Sequence, residues 1–144
     1  MSQKMKNSWP QDVQDMHTRF GVREVVAGMS SADLASFLEF RLRFLQEELD
    51  EAGEAVRAVH AGQHDRAEDI VDAMIDLCVV AIGTLDAFGV DAQVAWDRVH
   101  LANMQKHVGI KASRPNPLGL PDLIKPDGWT APSHADNIGL LGKI

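Results

Sequence analysis

Two runs of carboxylates carry the chemistry-bearing potential of this chain: Glu47-Glu48-Leu49-Asp50-Glu51, and farther on Glu68, Asp69, Asp72 and Asp76. Residues three and four apart share a helix face, so Glu48 stands beside Glu51, and Glu47 beside Glu51. Glu48 and Glu51 also border the apolar seam Leu45–Leu49–Ala52 and therefore face toward packed structure. Asp69, Asp72 and Asp76 form a second stripe, with Glu68 one turn below Asp72. Asp72 and Asp76 interrupt an apolar stretch, where an unpaired charge is expensive, and like charges at that spacing repel. Arg57 and Arg66 are the nearest cations, and neither is placed to serve both runs. Glu54 extends the first run but points farther away, and no role is assigned to it. A divalent cation resolves the repulsion: Mg²⁺ or Mn²⁺ takes oxygen ligands, and two packed helices can supply them while leaving room for water and phosphate. The blander account is a solvated acidic face. One Glu-rich run would favour it; a second, with aspartates inside an apolar helix, favours the metal.

The elements that must position these groups are helical. A short helix is predicted from Pro10 to Phe20, stopped by Gly21. Ser30 or Ser31 caps a second, with Asp33 near its positive end. Leu34, Leu38, Leu42, Leu45, Leu49, Ala52, Val56 and Val59 give it a continuous apolar seam running to about Ala61. The third helix starts near His64 or Asp65 and ends at Gly89. Its stripe of Ile70, Met74, Leu77, Ala81 and Phe88, widened by Val71, Cys78 and Leu85, predicts burial on several sides or a subunit interface. Asp91 can cap a fourth helix through Val94, Trp96, Val99 and Leu101 to about Lys106. Short links favour antiparallel neighbours, so the expected fold is all-α: an antiparallel bundle of four to five helices.

Five of the six prolines lie beyond Gly109. That shift divides the chain into a helical domain, residues 1–107, and a Pro/Gly-rich C-terminal arm or lid of the same domain, residues 108–144. Leu118, Leu120, Leu123, Ile124 and Trp129 give the arm something to bury, which favours order over a disordered linker. The 144 residues suit one core, and a net charge of −7 argues against general nucleic-acid binding. An acidic protein binds a polyphosphate when cations stand between the two. The single cysteine, Cys78, reads as a small core residue. The N-terminus has no apolar stretch behind its basic residues, and Asp72, Asp76 and Asp86 break the most apolar segment, so neither a secretory signal nor a membrane span is expected. A cytoplasmic location is the expectation.

The pattern Glu47-Glu48-x-x-Glu51 followed by Asp72-Ala-Met-Ile-Asp76-Leu resembles the MazG-like all-α nucleoside triphosphate pyrophosphohydrolases. The nearest branch is the phosphoribosyl-ATP pyrophosphohydrolase-like one of phages and bacteria. Further similarity lies in Asp12-Val-x-x-Met-His17-x-x-Phe20-Gly21, Ala81-Ile-Gly83-Thr84 before Gly89-Val-Asp91, and Val99-His100-x-Ala-Asn103-Met104-x-Lys106. Lys125-Pro-Asp-Gly-Trp129-x-x-Pro132 in the arm is similar too. The family's second acidic motif is ordinarily ExxD; here it is DxxxD, with Asp69-x-x-Asp72 as a competing frame.

The resemblance implies hydrolysis of a nucleoside triphosphate to the monophosphate and pyrophosphate, one or more Mg²⁺ or Mn²⁺ ions per site (two or more expected), and assembly into homodimers or homotetramers. It makes Glu48, Glu51, Asp72 and Asp76 the metal ligands. Glu47 becomes a further ligand or the base that accepts a proton from water, with Glu48 also in the catalytic set and Asp69 as a possible addition. Asn103 and Lys106 would contact the nucleotide, Lys106 as a point charge on phosphate; by residue type alone they also suit an exposed polar helix end. Trp96, like Trp9 and Trp129, could stack a base or simply pack. The expected substrate leans toward dGTP or GTP, with dUTP or dCTP next. Two other classes compete. A di-iron carboxylate bundle wants Glu-x-x-His on two helices, and only Asp97-x-x-His100 comes close. A non-catalytic helical module binding a nucleotide or protein would carry the same carboxylates as solvated surface.

Overall fold

The computed structural model describes residues 6–114, 116–119 and 121–144. Met1–Met5, Pro115 and Leu120, the last two counted with the arm above, lie outside the described residues. The chain forms two compact units, one of residues up to Ala92 together with Ile138–Ile144, the other Gln93–Asn137.

The first unit holds four helices: α1 (Trp9–Phe20), α2 (Val22–Ala27), α3 (Ser31–His60) and α4 (Ala67–Ala87). Pro10 sits in the opening turn of α1, and the Gln11 side chain accepts from the Ser8 N–H at 2.8 Å. Ser30 caps α3 by accepting from the Asp33 N–H at 3.1 Å. A turn of 3₁₀ helix, His64–Arg66, leads into α4. As the chain advances along α3 from Arg41 to Glu54, its partners on α4 run backwards from Thr84 to Asp69. That reversal is the mark of antiparallel neighbours, and it follows from the short link between them.

The core of this unit lies at the opposite end of the helix pair from the link. Val26, Leu34, Ala87 and Phe88 are buried together, with Phe37, Leu38, Leu140 and Leu141 packed on them. Phe37 and Phe88 meet at 5.8 Å between ring centres. The C-terminal segment closes this end: the Leu140 N–H donates to the Phe88 carbonyl at 2.7 Å, and the Ser31 hydroxyl donates to the Lys143 carbonyl at 2.5 Å.

The seam expected along α3 is only partly interior. Leu34 and Ala52 are buried, but Leu42 is 55% and Leu49 52% exposed, and Val56 is exposed as well. On α4, Val71, Met74 and Ile75 are exposed too. A thirty-residue helix packed against shorter partners cannot turn every apolar position inward, so one flank remains open.

The second unit carries most of α5 (Ala92–Met104) and a two-stranded antiparallel ribbon, β1 (His107–Gly109) with β2 (Asp122–Ile124). Arg98 on α5 grips Asp136 with two hydrogen bonds of 2.6 and 2.9 Å and donates to the Ser133 carbonyl. The Trp129 indole N–H donates to the Ala102 carbonyl at 2.8 Å. These contacts order the segment after β2 on the helix. Neither α2 nor the ribbon was expected from the sequence. No single described helix is long and apolar enough to cross a membrane.

Candidate active site

The link end of the α3–α4 pair opens into a cleft of about 410 Å³ lined by Glu51, Glu54, Arg66, Asp69, Asp72, Ala73 and Asp76. Three of the four carboxylates expected to hold metal, Glu51, Asp72 and Asp76, thus face one space, and Asp69 joins them. Ala73 is buried beneath, a small side chain that leaves the floor of the cleft open. Antiparallel packing produces this convergence: Glu51 and Glu54, one turn apart on α3, look across at Asp69, Asp72 and Asp76 on α4.

Glu48, the fourth expected ligand, is not among the residues lining that cleft, yet it is the most informative. It is half-buried, and its Oε2 is shut away from solvent with no hydrogen-bond partner. Burial, then the charges of Glu51, Asp76 and Glu47, push its carboxyl above the usual range. A carboxylate oxygen that is desolvated, unpartnered and surrounded by like charge is costly for the fold. Oxygen donors of this kind, from two helices and with no ammonium among them, suit a hard divalent cation. Among the described residues, no three His, Cys, Asp or Glu side chains are already drawn together tightly enough to chelate an ion. The donors face one another as an acidic wall. Glu47 is exposed and does not line the cleft.

Two residues that sequence reasoning set aside belong here. Glu54 lines the cleft, and its three-residue step from Glu51 could have shown this, since that step keeps one helix face. Arg66 lines it as well and pairs with Asp69. Its three-residue step to Asp69 is a neighbour spacing on a helix as well, so the same argument reaches this pair. Asp69 is therefore already neutralised in part, while Asp72 and Asp76 have no such partner among the described residues.

Toward the other end of the first unit, a second polar cluster was missed altogether. Asp86 on α4 is buried; it takes the His17 ring Nδ1 at 2.9 Å and the Arg23 guanidinium at 2.5 to 3.1 Å. Arg41 on α3 donates from Nε to the Thr84 hydroxyl and from Nη2 to the Val80 carbonyl, both at 3.0 Å. Burial lowers the Arg41 pKa from its ordinary value. Gly83 makes this crossing possible: a Cβ there would fall 2.8 Å from Arg41 Nη2 and 3.2 Å from the His17 ring. The cluster ties α1, α2, α3 and α4 together and so holds the acidic helices in register.

In the second unit, Asn103 and Lys106 are half-buried and joined, the ammonium donating to Asn103 Oδ1 at 2.9 Å. Trp96 is exposed. His100 and His107 are exposed as well.

An acidic motif on one long helix facing a second across an antiparallel partner, in an all-α fold, defines a class: the MazG-like nucleoside triphosphate pyrophosphohydrolases. The sequence profile of the phosphoribosyl-ATP pyrophosphohydrolase family matches residues 13–103, and the chain belongs to that family. It is accordingly a pyrophosphohydrolase, a hydrolase of phosphoanhydride bonds acting on a nucleotide. No curated protein matches the sequence.

Proposed function

We propose that the chain hydrolyses a nucleoside or deoxynucleoside triphosphate to the monophosphate and pyrophosphate, with Mg²⁺ or Mn²⁺ held by Glu48, Glu51, Asp72 and Asp76. The observation that carries this reading is the buried, unpartnered Glu48 oxygen crowded by Glu51 and Asp76. When bound, divalent ions neutralise the phosphate chain, polarise the scissile phosphorus and lower the pKa of an attacking water. Glu48, Glu51, Asp72 and Asp76 supply the oxygen donors. Glu47, exposed to solvent next to Glu48, is either a further ligand or the base that takes the proton from the water as its oxygen bonds to phosphorus and the bond to pyrophosphate breaks. Asn103 and Lys106 bind the nucleotide, Lys106 through a phosphate oxygen and Asn103 through its amide. Asp69, committed in part to Arg66, and Trp96, an exposed indole able to stack a base, are secondary members of the set.

The substrate reading leans toward dGTP or GTP, with dUTP or dCTP as the alternative. It is tested by screening the eight common triphosphates for pyrophosphate release with Mg²⁺ and with Mn²⁺. Preference for a guanine nucleotide supports the reading; turnover of none of them removes it. The proposed assembly is a homodimer or homotetramer. The open flank of α3, Leu42, Leu49 and Val56, lies with Val71, Met74 and Ile75 of α4 as exposed apolar surface of one unit, and a second copy of the chain is the occupant we assign to it. Light scattering at working concentration checks this, with a monomer as the contrary result.

A further inference from the structure

The ribbon of the second unit brings together two cations that form no ion pair among the described residues. Register pairs His107 with Ile124, Val108 with Leu123 and Gly109 with Asp122. One step beyond its open end, Lys106 stands opposite Lys125. Like charges facing each other across an antiparallel pair destabilise it, so this placement needs a reason.

Both ammonium groups converge on one indole. Lys106 Nζ lies 5.2 Å and Lys125 Nζ 4.9 Å from the Trp129 ring centre. The ring is fixed by its N–H bond to the Ala102 carbonyl. It is also aimed by the turn Pro126–Trp129, closed by the Trp129 N–H on the Pro126 carbonyl at 3.0 Å. Gly128 at φ 77° supplies the left-handed step of that turn. The face of an indole attracts cations but leaves them charged and able to donate outward. Lys106 spends one donor on Asn103. Neither lysine is in an ion pair among the described residues, whereas Arg98 is paired with Asp136 and Arg114 with Asp122. Asp127, next but one to Lys125, is exposed.

We infer that Lys106 and Lys125, seated on Trp129, form a phosphate-binding clamp that takes two linked phosphoryl groups. Both ammonium groups lie about 5 Å from one ring centre, and a diphosphate seated at that ring would take a charge-assisted bond from each. This adds Lys125 and Trp129, both beyond the residues matched to the family, to the nucleotide-binding part of the protein. It rests on the proposed function only in expecting a phosphate chain as the ligand.

The test is calorimetric titration of the full chain with inorganic pyrophosphate in EDTA, where the acidic cleft repels the anion and cannot contribute. Wild type should bind saturably, and orthophosphate, which cannot span both lysines, should bind more weakly. Lys106→Gln and Lys125→Gln should each weaken pyrophosphate binding by about ten-fold or more, the scale of one charge-assisted bond. Lys111→Gln, outside the pair, should leave it unchanged. Thermal melts confirm that each variant is folded. Absence of saturable binding by wild type, or an effect of Lys106→Gln without one of Lys125→Gln, overturns the clamp. Hydrolysis of a triphosphate with added Mg²⁺ is scored separately, so loss of the clamp and loss of the proposed reaction are told apart.

Discussion

Replacing Asp86 by alanine should be among the most damaging single changes in this protein. The side chain of Asp86 is 7% and that of His17 5% exposed, while that of Arg23 is 41% exposed. Removing the carboxylate leaves the buried His17 ring nitrogen without its hydrogen-bond partner, which costs about 1.5–3 kcal/mol for a bond to a charged group. The Arg23 half of the cluster reaches water and is discounted to the surface range of roughly 0.2–1 kcal/mol. The His17 half retains its full weight. The sum is a loss of about 2–4 kcal/mol, set against the roughly 5–15 kcal/mol typical of a folded domain. That corresponds to a fall of about 10 °C in melting temperature for a chain of this size. Urea denaturation of wild type, Asp86→Ala and Asp86→Asn reads it directly. The asparagine keeps a hydrogen-bonding oxygen for His17 and should lose about half as much. A double-mutant cycle of Asp86→Asn with His17→Gln should show a coupling of about 0.5 kcal/mol or more. Asp86→Ala within about 1 kcal/mol of wild type would refute the reasoning, because the cluster would then not be what ties α1 and α2 to α4.

The carboxylate wall makes its own demands. Glu48 has a folded-state pKa above its ordinary 4.5, so its ionisation opposes folding: the penalty is absent below that value and grows as pH rises through the raised one. In EDTA, Glu48→Gln should therefore melt higher than wild type at neutral pH and lose that advantage near pH 4; a lower melting point at neutral pH would contradict the assignment. With Mg²⁺ or Mn²⁺ added the order should reverse, since ion binding stabilises the fold by linkage and the variant lacks a ligand. Glu51→Ala and Asp72→Ala should likewise lose the metal-dependent rise in melting temperature together with activity, and an undiminished rise in Glu51→Ala would remove it from the site. Gly83→Ala should destabilise by about 1–3 kcal/mol, the usual range for overpacking, because its Cβ meets Arg41 and the His17 ring; a neutral result in a urea melt would show that both side chains yield freely.

Much of this was legible in the residues. The period of Leu34 to Val59 and the capping of Ser30 defined α3, and the stripes Glu48–Glu51 and Asp72–Asp76 pointed at each other once an antiparallel link was assumed. What stayed hidden depends on distance along the chain. Asp86 and His17 are 69 positions apart, and nothing local to either reveals the bond. The six-residue α2 is too short for a helical period to show. The three-residue strands are identified by their pairing, which no alternation of their own announces. The exposed Leu42 and Leu49 teach the converse: an apolar period identifies a helix face but not what covers it.

The most direct test of the account is ³¹P NMR of the chain incubated with dGTP and Mg²⁺ or Mn²⁺, and with the other triphosphates in turn. The account predicts pyrophosphate and the monophosphate in equal amounts with no orthophosphate, abolished by Glu51→Ala. Orthophosphate with the diphosphate, or an unchanged spectrum for every nucleotide, would contradict it.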